Sequence, residues 1–262
     1  MSNNITIVSV EAGNAEPCKQ QQQQYSNHYR CWPLPIFTVA ITAIQIVLFT
    51  YYCIGDSVSS GLDTLVESPL IYRTDKRIQA WRFFTYGALH AGWSHLVFNL
   101  LVQVVVGLPL EMVHGSTRVA CIYLAGVVAG SLGTSVFDAD VYLVGASGGV
   151  YALMAAHLAN VQVNYSTMQF GFMRLIGMAF VAVADIEFAL YNYYTGSQSG
   201  LPVSYIAHIT GALAGLSIGL VVLKRFQEKS DNDQLLWWVS LGTFTACIVF
   251  AVTFNLLHTF PY

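Results

Sequence analysis

The amino-acid sequence predicts an all-α fold, a polytopic bundle of seven transmembrane helices. Of the 262 residues, 55% are hydrophobic and 10% are charged, whereas soluble domains carry about 25% charged residues. The mean hydropathy is +0.54. Uncharged runs of about 20 residues, enough to cross a hydrocarbon core about 30 Å thick, recur along the chain. The predicted spans are about 34–54, 91–110, 119–137, 141–163, 170–193, 202–223 and 235–257.

The segment before the first span differs in composition from the rest of the chain. Residues 1–30 are polar and include a run of glutamines at 20–24, without the apolar stretch of a cleavable signal peptide. We therefore expect a disordered cytosolic tail over 1–30 and a single transmembrane domain over 31–262. Within that domain, we expect a core at about 31–225 and a seventh helix at about 235–257.

Basic residues in the short loops predict the orientation, because cytosolic loops carry an excess of lysine and arginine. A cytosolic N-terminus places seven of the 11 basic residues on the cytosolic side and four on the outer side. The four all come from one loop, between the first and second spans: Arg73, Lys76, Arg77 and Arg82. The count predicts a cytosolic N-terminus.

Four polar side chains are predicted to share one level of the membrane. In this orientation the second, fourth and sixth spans all run inward, so depth is compared at about 1.5 Å per residue. Ser147, within the sequence GASGG, and His208 each lie six residues after the start of their spans. His95 and Asn99 lie four and eight residues after the start of theirs. We expect a site about 9 Å below the outer boundary, with His157 too deep to join it and buried instead.

Glycines are predicted to bring the spans that carry Ser147 and His208 together. At 100° per residue, three glycines fall within about 60° of His208, and these are Gly211, Gly215 and Gly219. Small residues let helices approach closely, and Gly145 and Gly148 leave little bulk beside Ser147. Glycine packing without any chemistry is the alternative interpretation of this pattern.

The four side chains match the needs of nucleophilic catalysis. Histidine suits the role of general base because its pKa lies near neutrality, so His208 can activate the Ser147 hydroxyl. An oxyanion needs donors, and the Asn99 amide, the His95 imidazole and the Ser147 backbone N–H can supply them. Polar groups in hydrocarbon cost free energy unless they are paired, which favours one shared site.

These residues resemble the rhomboid intramembrane serine proteases, and the similarity covers nearly the whole chain from Cys31 onward. The separated motifs that carry it are Trp81-Arg82 before the second span, His95 and Asn99 as HxxxN, GASGG around Ser147 with Tyr151 one turn later, and AHITGALAG carrying His208.

The resemblance implies a Ser147–His208 dyad without a third carboxylate and an oxyanion site formed by His95, Asn99 and backbone amides. It also implies that Tyr151 stacks beside the histidine and that the loop bearing Trp81 and Arg82 lies partly in the outer leaflet. No cofactor, metal or nucleic acid is expected. The expected partners are single-pass membrane proteins as substrates and the lipid bilayer.

The seventh, C-terminal span is similar to the secretase type of rhomboid. That likeness implies residence in the secretory pathway, in the Golgi, the plasma membrane or the endoplasmic reticulum. It further implies release of growth-factor ectodomains of the EGF class. Two other functions stay open: a catalytically inactive binding or trafficking protein of the same fold, and a small-solute transporter. The first would usually lack the serine or the histidine, and the second predicts inverted repeats.

Two carboxylates in the fifth span, Asp185 and Glu187, are unexplained by the dyad. Each costs about 2.5 to 3.5 kcal/mol at mid-membrane, and their spacing of two residues turns them to different sides of a helix. The favoured interpretation places both near the outer, wetter end of the helix. The alternative is that one of them lines the cavity or the gate through which a substrate enters.

Overall fold

The computed structural model describes residues 34–54, 62–138, 141–165, 167–168, 170–194, 204–226 and 231–259. The predicted tail at 1–30 lies outside these residues. Within them the chain is almost entirely helical, which confirms the all-α fold class. The α-helices are α1 (Ile36–Ile54), α2 (Leu62–Glu67), α3 (Arg82–Thr85), α4 (Trp93–His114), α5 (Ser116–Phe137), α6 (Ser147–Asn164), α7 (Gly171–Tyr194), α8 (Tyr205–Val222) and α9 (Asp231–Thr259). Two short 3₁₀ turns, Thr74–Lys76 and Tyr86–Ala88, flank α3.

The seven long helices, α1 and α4 to α9, lie where the sequence predicts the seven spans. Among the described residues, four segments are both long and apolar enough to cross a membrane: Trp93–His114, Ser116–Phe137, Tyr205–Val222 and Asn232–His258. In α1 the apolar stretch, Ile36–Tyr52, is slightly shorter. Large apolar side chains such as Phe172, Phe180 and Val249 are exposed on the outside of the bundle, as expected of a surface in contact with lipid.

The start of the fourth span differs from the prediction. The helix begins at Ser147, so residues 141–146 are not a helical turn at the span's outer end. Instead, Leu143 pairs with Tyr72 through two backbone hydrogen bonds of 3.0 and 3.2 Å. Gly145 then turns the chain with a φ of +119°, a conformation that glycine adopts without the strain of a Cβ atom. Because the segment is rich in β-branched and apolar residues, its composition did not distinguish this turn from the start of a transmembrane helix.

The prediction that Ser147 and His208 each lie six residues into a helix, counted from residues 141 and 202, is therefore wrong. Ser147 is the first residue of α6, and His208 is the fourth residue of α8, which begins at Tyr205. His95 is the third residue of α4. All three residues lie in the first turns of their helices, and the three helices run in the same direction. The side chains share a level for this reason.

Helix α8 packs tightly against α6 along its glycine face. A Cβ atom added to Gly211 would overlap the carbonyl group of Gly148, and one added to Gly215 would overlap the backbone of Ala152. At Gly219 it would lie 2.9 Å from the Cβ of Ala159. The glycines thus allow direct backbone contact between the two helices over three turns.

The loop between α1 and α4 is folded onto the bundle. Arg82 is buried and donates hydrogen bonds to the carbonyl oxygens of Ser68 (3.0 Å) and Ile71 (2.7 Å). Trp81 is about half exposed, and its indole N–H donates to the carbonyl oxygen of Pro69 at 3.0 Å. Through Tyr72, this loop is joined to the strand-like segment that precedes Ser147. The loop therefore fixes the approach of the chain to the start of α6.

Candidate active site

Ser147 lies at the amino end of α6, where backbone N–H groups have no partner within the helix. The residue before it, Ala146, has no side chain that could cap the helix. Glycines follow at the next two positions, so no side chain covers these donors. The amino end of a helix also carries partial positive charge. The main chain around Ser147 is thus suited to bind developing negative charge.

His208 lies in the first turn of α8, a turn that is capped at its start, and its side chain packs against an aromatic ring. Ser204 caps the helix, with its Oγ accepting a hydrogen bond from the N–H of Ala207 at 3.3 Å. The same hydroxyl is 2.9 Å from Oγ1 of Thr134 on α5. On the other side, the Tyr151 ring stacks on the imidazole with centroids 4.3 Å apart. His208 is consequently buried and held in one orientation.

Tyr151 and the glycines relate His208 to the face of α6 that carries Ser147. Tyr151 follows Ser147 by four residues, so both side chains project from the same face of α6. Since the imidazole of His208 lies on the Tyr151 ring, it also lies next to this face. At Gly211, one turn along α8 from His208, the backbones of the two helices touch. The structure therefore brings His208 to the face of α6 that carries Ser147.

His95 reaches the site from α4, and Asn99 lies one turn further along the same helix. The imidazole of His95 lies against Gly145, because a Cβ atom at that glycine would be 2.6 Å from its Cε1 and 2.7 Å from its Nε2. Asn99 is buried, and its side-chain amide donates to the backbone carbonyl oxygen of His95 at 2.9 Å. An amide nitrogen has two hydrogens, so one stays available for a further acceptor.

The backbone of Gly145 is anchored as well. Its N–H donates to the carbonyl oxygen of Tyr86 at 3.1 Å, and its positive φ excludes a side chain. Tyr86 is buried, and its hydroxyl donates to the carbonyl oxygen of Val127 on α5 at 2.7 Å. Tyr86 thus links the turn before Ser147 to the core of the bundle, a contribution that no motif in the sequence indicated.

His157 lies away from these residues. It is buried on α6, ten residues beyond Ser147, and its Nε2 is 2.9 Å from the carbonyl oxygen of Val106. The prediction that His157 is buried and lies too deep to join the site is confirmed.

Asp185 on α7 contacts two residues of the candidate site. Its carboxylate accepts a hydrogen bond from the hydroxyl of Tyr151 at 2.8 Å, and the same oxygen lies 3.7 Å from Nδ1 of His208. Glu187 is exposed on another side of α7. The two carboxylates thus face different sides of α7, as their spacing predicts, and Asp185 is the one that faces the candidate site. The signal in the sequence that pointed to Asp185 is the free-energy cost of placing a carboxylate in an apolar helix.

Comparison with known proteins agrees with this architecture. A sequence model of the rhomboid domain matches residues 77–225. Rhomboid-related protein 2 of Mus musculus is 44% identical over 90% of this chain and 79% of its own length. Rhomboid-related protein 3 of Homo sapiens is 38% identical over 92% of this chain, which spans 61% of that relative. Inactive rhomboid-related protein 2 of Caenorhabditis elegans is 32% identical over 88% of this chain and 67% of its own length. The chain belongs to the rhomboid family of multi-pass integral membrane proteins.

Proposed function

We propose that this protein is an intramembrane serine endopeptidase in which Ser147 is the nucleophile and His208 is the general base. The observation that carries the proposal is the stacking of His208 on Tyr151, because Tyr151 projects from the same face of α6 as Ser147. The proposed substrates are single-pass membrane proteins. The proposed cleavage lies near their outer or lumenal membrane boundary. Ser147, His208 and His95 all lie in the first turns of their helices, which run inward in the proposed orientation.

The first half of the reaction is acylation. The Ser147 hydroxyl oxygen attacks the carbonyl carbon of the scissile peptide bond, and Nε2 of His208 takes the hydroxyl proton. The negative charge that develops on the carbonyl oxygen is received by the Ser147 N–H at the amino end of α6, the Asn99 amide and the His95 imidazole. The C–N bond then breaks. His208 returns its proton to the leaving amine, and an acyl ester remains on Ser147.

The second half is hydrolysis of the ester. A water molecule attacks the acyl carbon while His208 accepts one of its protons, and the same donors stabilise the second oxyanion. Collapse of this intermediate returns the proton to the Ser147 oxygen and releases a new carboxyl terminus. His95 and Asn99 need not move between the halves, because both intermediates place their charge at the same point.

The remaining features extend the proposal to substrates and location. We propose that the N-terminus is cytosolic, that residues 1–30 form a separate tail, and that residues 31–262 form the protease domain. The C-terminal helix α9 (Asp231–Thr259) follows the matched family region at 77–225, in the order of the secretase type. On that likeness we propose a compartment of the secretory pathway, with the Golgi favoured, and release of EGF-class growth-factor ectodomains.

A catalytically inactive binding or trafficking protein is the second candidate function. It is favoured by the inactive relative of Caenorhabditis elegans, which is 32% identical to this chain. Ser147 and His208, however, are both present, and His208 is stacked and buried beside the face that carries Ser147. These features argue for catalysis over binding alone.

Co-expression with a panel of tagged single-pass precursors, including EGF-class growth factors, tests the proposal. We expect the wild-type protein to release ectodomain from at least one precursor, and Ser147→Ala to release none at equal expression. Binding of a precursor without release by the wild-type protein would favour the inactive alternative. Equal release by wild type and Ser147→Ala would exclude a serine mechanism.

A further inference from the structure

The carboxylate of Asp185 contacts two side chains of the candidate site at once. One oxygen, Oδ2, accepts the hydrogen bond from Tyr151 at 2.8 Å and lies 3.7 Å from Nδ1 of His208. The side chain of Asp185 is 21% exposed, and that of His208 is 9% exposed. A partly buried carboxylate loses hydration and needs compensation from a polar partner. Here both compensating partners belong to the site.

The position of Asp185 selects one tautomer of His208. A distance of 3.7 Å is too long for a direct hydrogen bond, but a negative charge at this distance favours the hydrogen on Nδ1 over a lone pair there. A neutral imidazole with its hydrogen on Nδ1 leaves Nε2 as the acceptor. Nε2 is then the nitrogen that can accept the proton of the Ser147 hydroxyl. The same charge favours the imidazolium that forms when Nε2 takes the proton.

Tyr151 transmits the position of Asp185 to the imidazole. Its ring lies nearly parallel to the ring of His208, with 14° between the planes, while its hydroxyl is bound to Asp185. Two contacts therefore hold the tyrosine: its hydroxyl donates to the carboxylate of Asp185, and its ring face packs on the imidazole of His208. Rotation of Tyr151 would break one of the two contacts.

Asp185 also connects a peripheral helix to the site. Many apolar side chains of α7 are exposed, among them Phe172, Phe180 and Val183, and among the described helices α7 contacts mainly α6. A carboxylate that only anchors α7 to the bundle is the competing explanation of the same contacts. The two explanations differ in what they predict for the chemistry at Ser147.

We propose that Asp185 is a positioning residue of this site, which acts through Tyr151 and Nδ1 of His208 to present Nε2 to Ser147. The inference rests on the proposed function, since it assigns His208 the role of base. It adds a third polar residue, from α7, to the dyad that the sequence indicates.

Four variants and two measurements test this inference. The variants are Asp185→Asn, which keeps the shape and removes the charge, Asp185→Glu, Tyr151→Phe, and the double variant Tyr151→Phe/Asp185→Asn. Glu187→Gln is the matched control, because it removes a carboxylate from the same helix at an exposed position. The measurements are kcat and KM for a transmembrane substrate in proteoliposomes and the rate at which a small soluble fluorophosphonate labels Ser147. The soluble probe reports on activation of Ser147 without requiring a substrate helix to pass α7.

We expect Asp185→Asn to lower kcat and the labelling rate together by about tenfold to a hundredfold, less than the ~10²–10⁴ that a general base contributes. KM should change less than twofold. Asp185→Glu should recover part of both losses, and Glu187→Gln should match the wild type. The double variant should be hardly slower than Asp185→Asn, because residues in one network act non-additively.

An unchanged labelling rate in Asp185→Asn, with a raised KM for the transmembrane substrate, would overturn the inference and leave Asp185 as an anchor of α7. The same conclusion would follow if Glu187→Gln lost as much activity as Asp185→Asn. Thermal unfolding of each purified variant identifies losses that come from misfolding, and Asp185→Glu then decides the case. A wild-type protein that neither cleaves nor becomes labelled would instead overturn the proposed function, and this inference with it.

Discussion

The ring of Tyr151 lies on the imidazole of His208, with centroids 4.3 Å apart and 14° between the ring planes. The contact joins α6 to α8 directly beside Ser147, which precedes Tyr151 by one turn. Stacked rings of this kind contribute about 0.5–1.5 kcal/mol beyond their buried area. The stack therefore restrains His208, the proposed base, near the start of α6, where Ser147 lies.

The first prediction concerns this stack. Tyr151→Ala should lower kcat about twofold to tenfold more than Tyr151→Phe does, because only the alanine variant loses the ring and 1.36 kcal/mol corresponds to a factor of ten. Steady-state cleavage of one substrate by both variants measures the difference. Equal rates for the two variants would mean that the ring face contributes nothing to positioning His208.

The second prediction concerns the dyad. Ser147→Ala and His208→Ala should each reduce kcat by about 10⁴-fold or more, and the double variant should be hardly slower than either, because a nucleophile and its base act as a unit. Expression and detergent-solubilised stability should stay close to wild type. Turnover that survives in Ser147→Ala, or additive losses in the double variant, would contradict the proposed roles.

The third prediction concerns the oxyanion donors. Loss of one donor typically lowers kcat by about 10²–10³, so Asn99→Ala and His95→Ala should reduce kcat more than they raise KM. The effect at His95 should be accompanied by lower stability, because its imidazole packs against Gly145. Full activity of the double variant Asn99→Ala/His95→Ala would remove both side chains from the mechanism and leave the amino end of α6 as the sole donor.

How much of this architecture could be predicted depends on how local each signal is. Length and hydropathy placed the seven long helices, because each span must satisfy its own backbone and cross the same apolar layer. The turn at 141–146 was missed because its hydrogen bonds go to a distant partner: Leu143 pairs with Tyr72. Apolar composition alone does not distinguish such a segment from the first turn of a helix.

The site shows the same division. The spacing of His95 and Asn99, the glycines around Ser147 and the face around His208 are local patterns. The structure places His95 against Gly145 and His208 against the ring of Tyr151. The contribution of Asp185 depends on the rotation of α7 relative to α6 and α8, which sets the 2.8 Å contact with Tyr151. The spacing of residues along the sequence does not predict the rotation of one helix relative to another. Sequence could therefore identify an expensive carboxylate but could not identify its partners.

The fourth prediction concerns the glycine contact between α6 and α8. Gly215→Ala should destabilise the protein by about 1–3 kcal/mol, because the added Cβ would overlap the backbone of Ala152. It should also slow cleavage, since the helices that carry Ser147 and His208 would move apart. Gly242→Ala on α9 is the matched control: nothing lies within 4 Å of the position its Cβ would take, and alanine is the better helix former. Thermal unfolding in detergent should give a lower Tm for Gly215→Ala alone, and a Tm equal to wild type would contradict the tight packing.

The last prediction concerns where the substrate is cut. Ser147, His208 and His95 occupy the first turns of their helices, so in the proposed orientation the scissile bond lies near the outer boundary of the substrate's span. A peptide bond inside a regular helix is sheltered by its hydrogen bonds and side chains, so the substrate must unwind locally before Ser147 reaches the carbonyl carbon. Glycine costs about 1 kcal/mol relative to alanine inside a helix, so glycines just below the cut should speed cleavage. Replacing them with leucine should slow cleavage without moving its position.

Mass spectrometry of the ectodomain released from such a pair of substrates measures both quantities. The matched control replaces glycines with leucine in the cytosolic half of the same span, where the helix need not open, and it should leave the rate unchanged. A released C-terminus that maps to the cytosolic half of the span would contradict the position of the site. A rate that ignores the leucine replacements below the cut would contradict the requirement for unwinding, because the helix there would then pose no barrier to attack by Ser147.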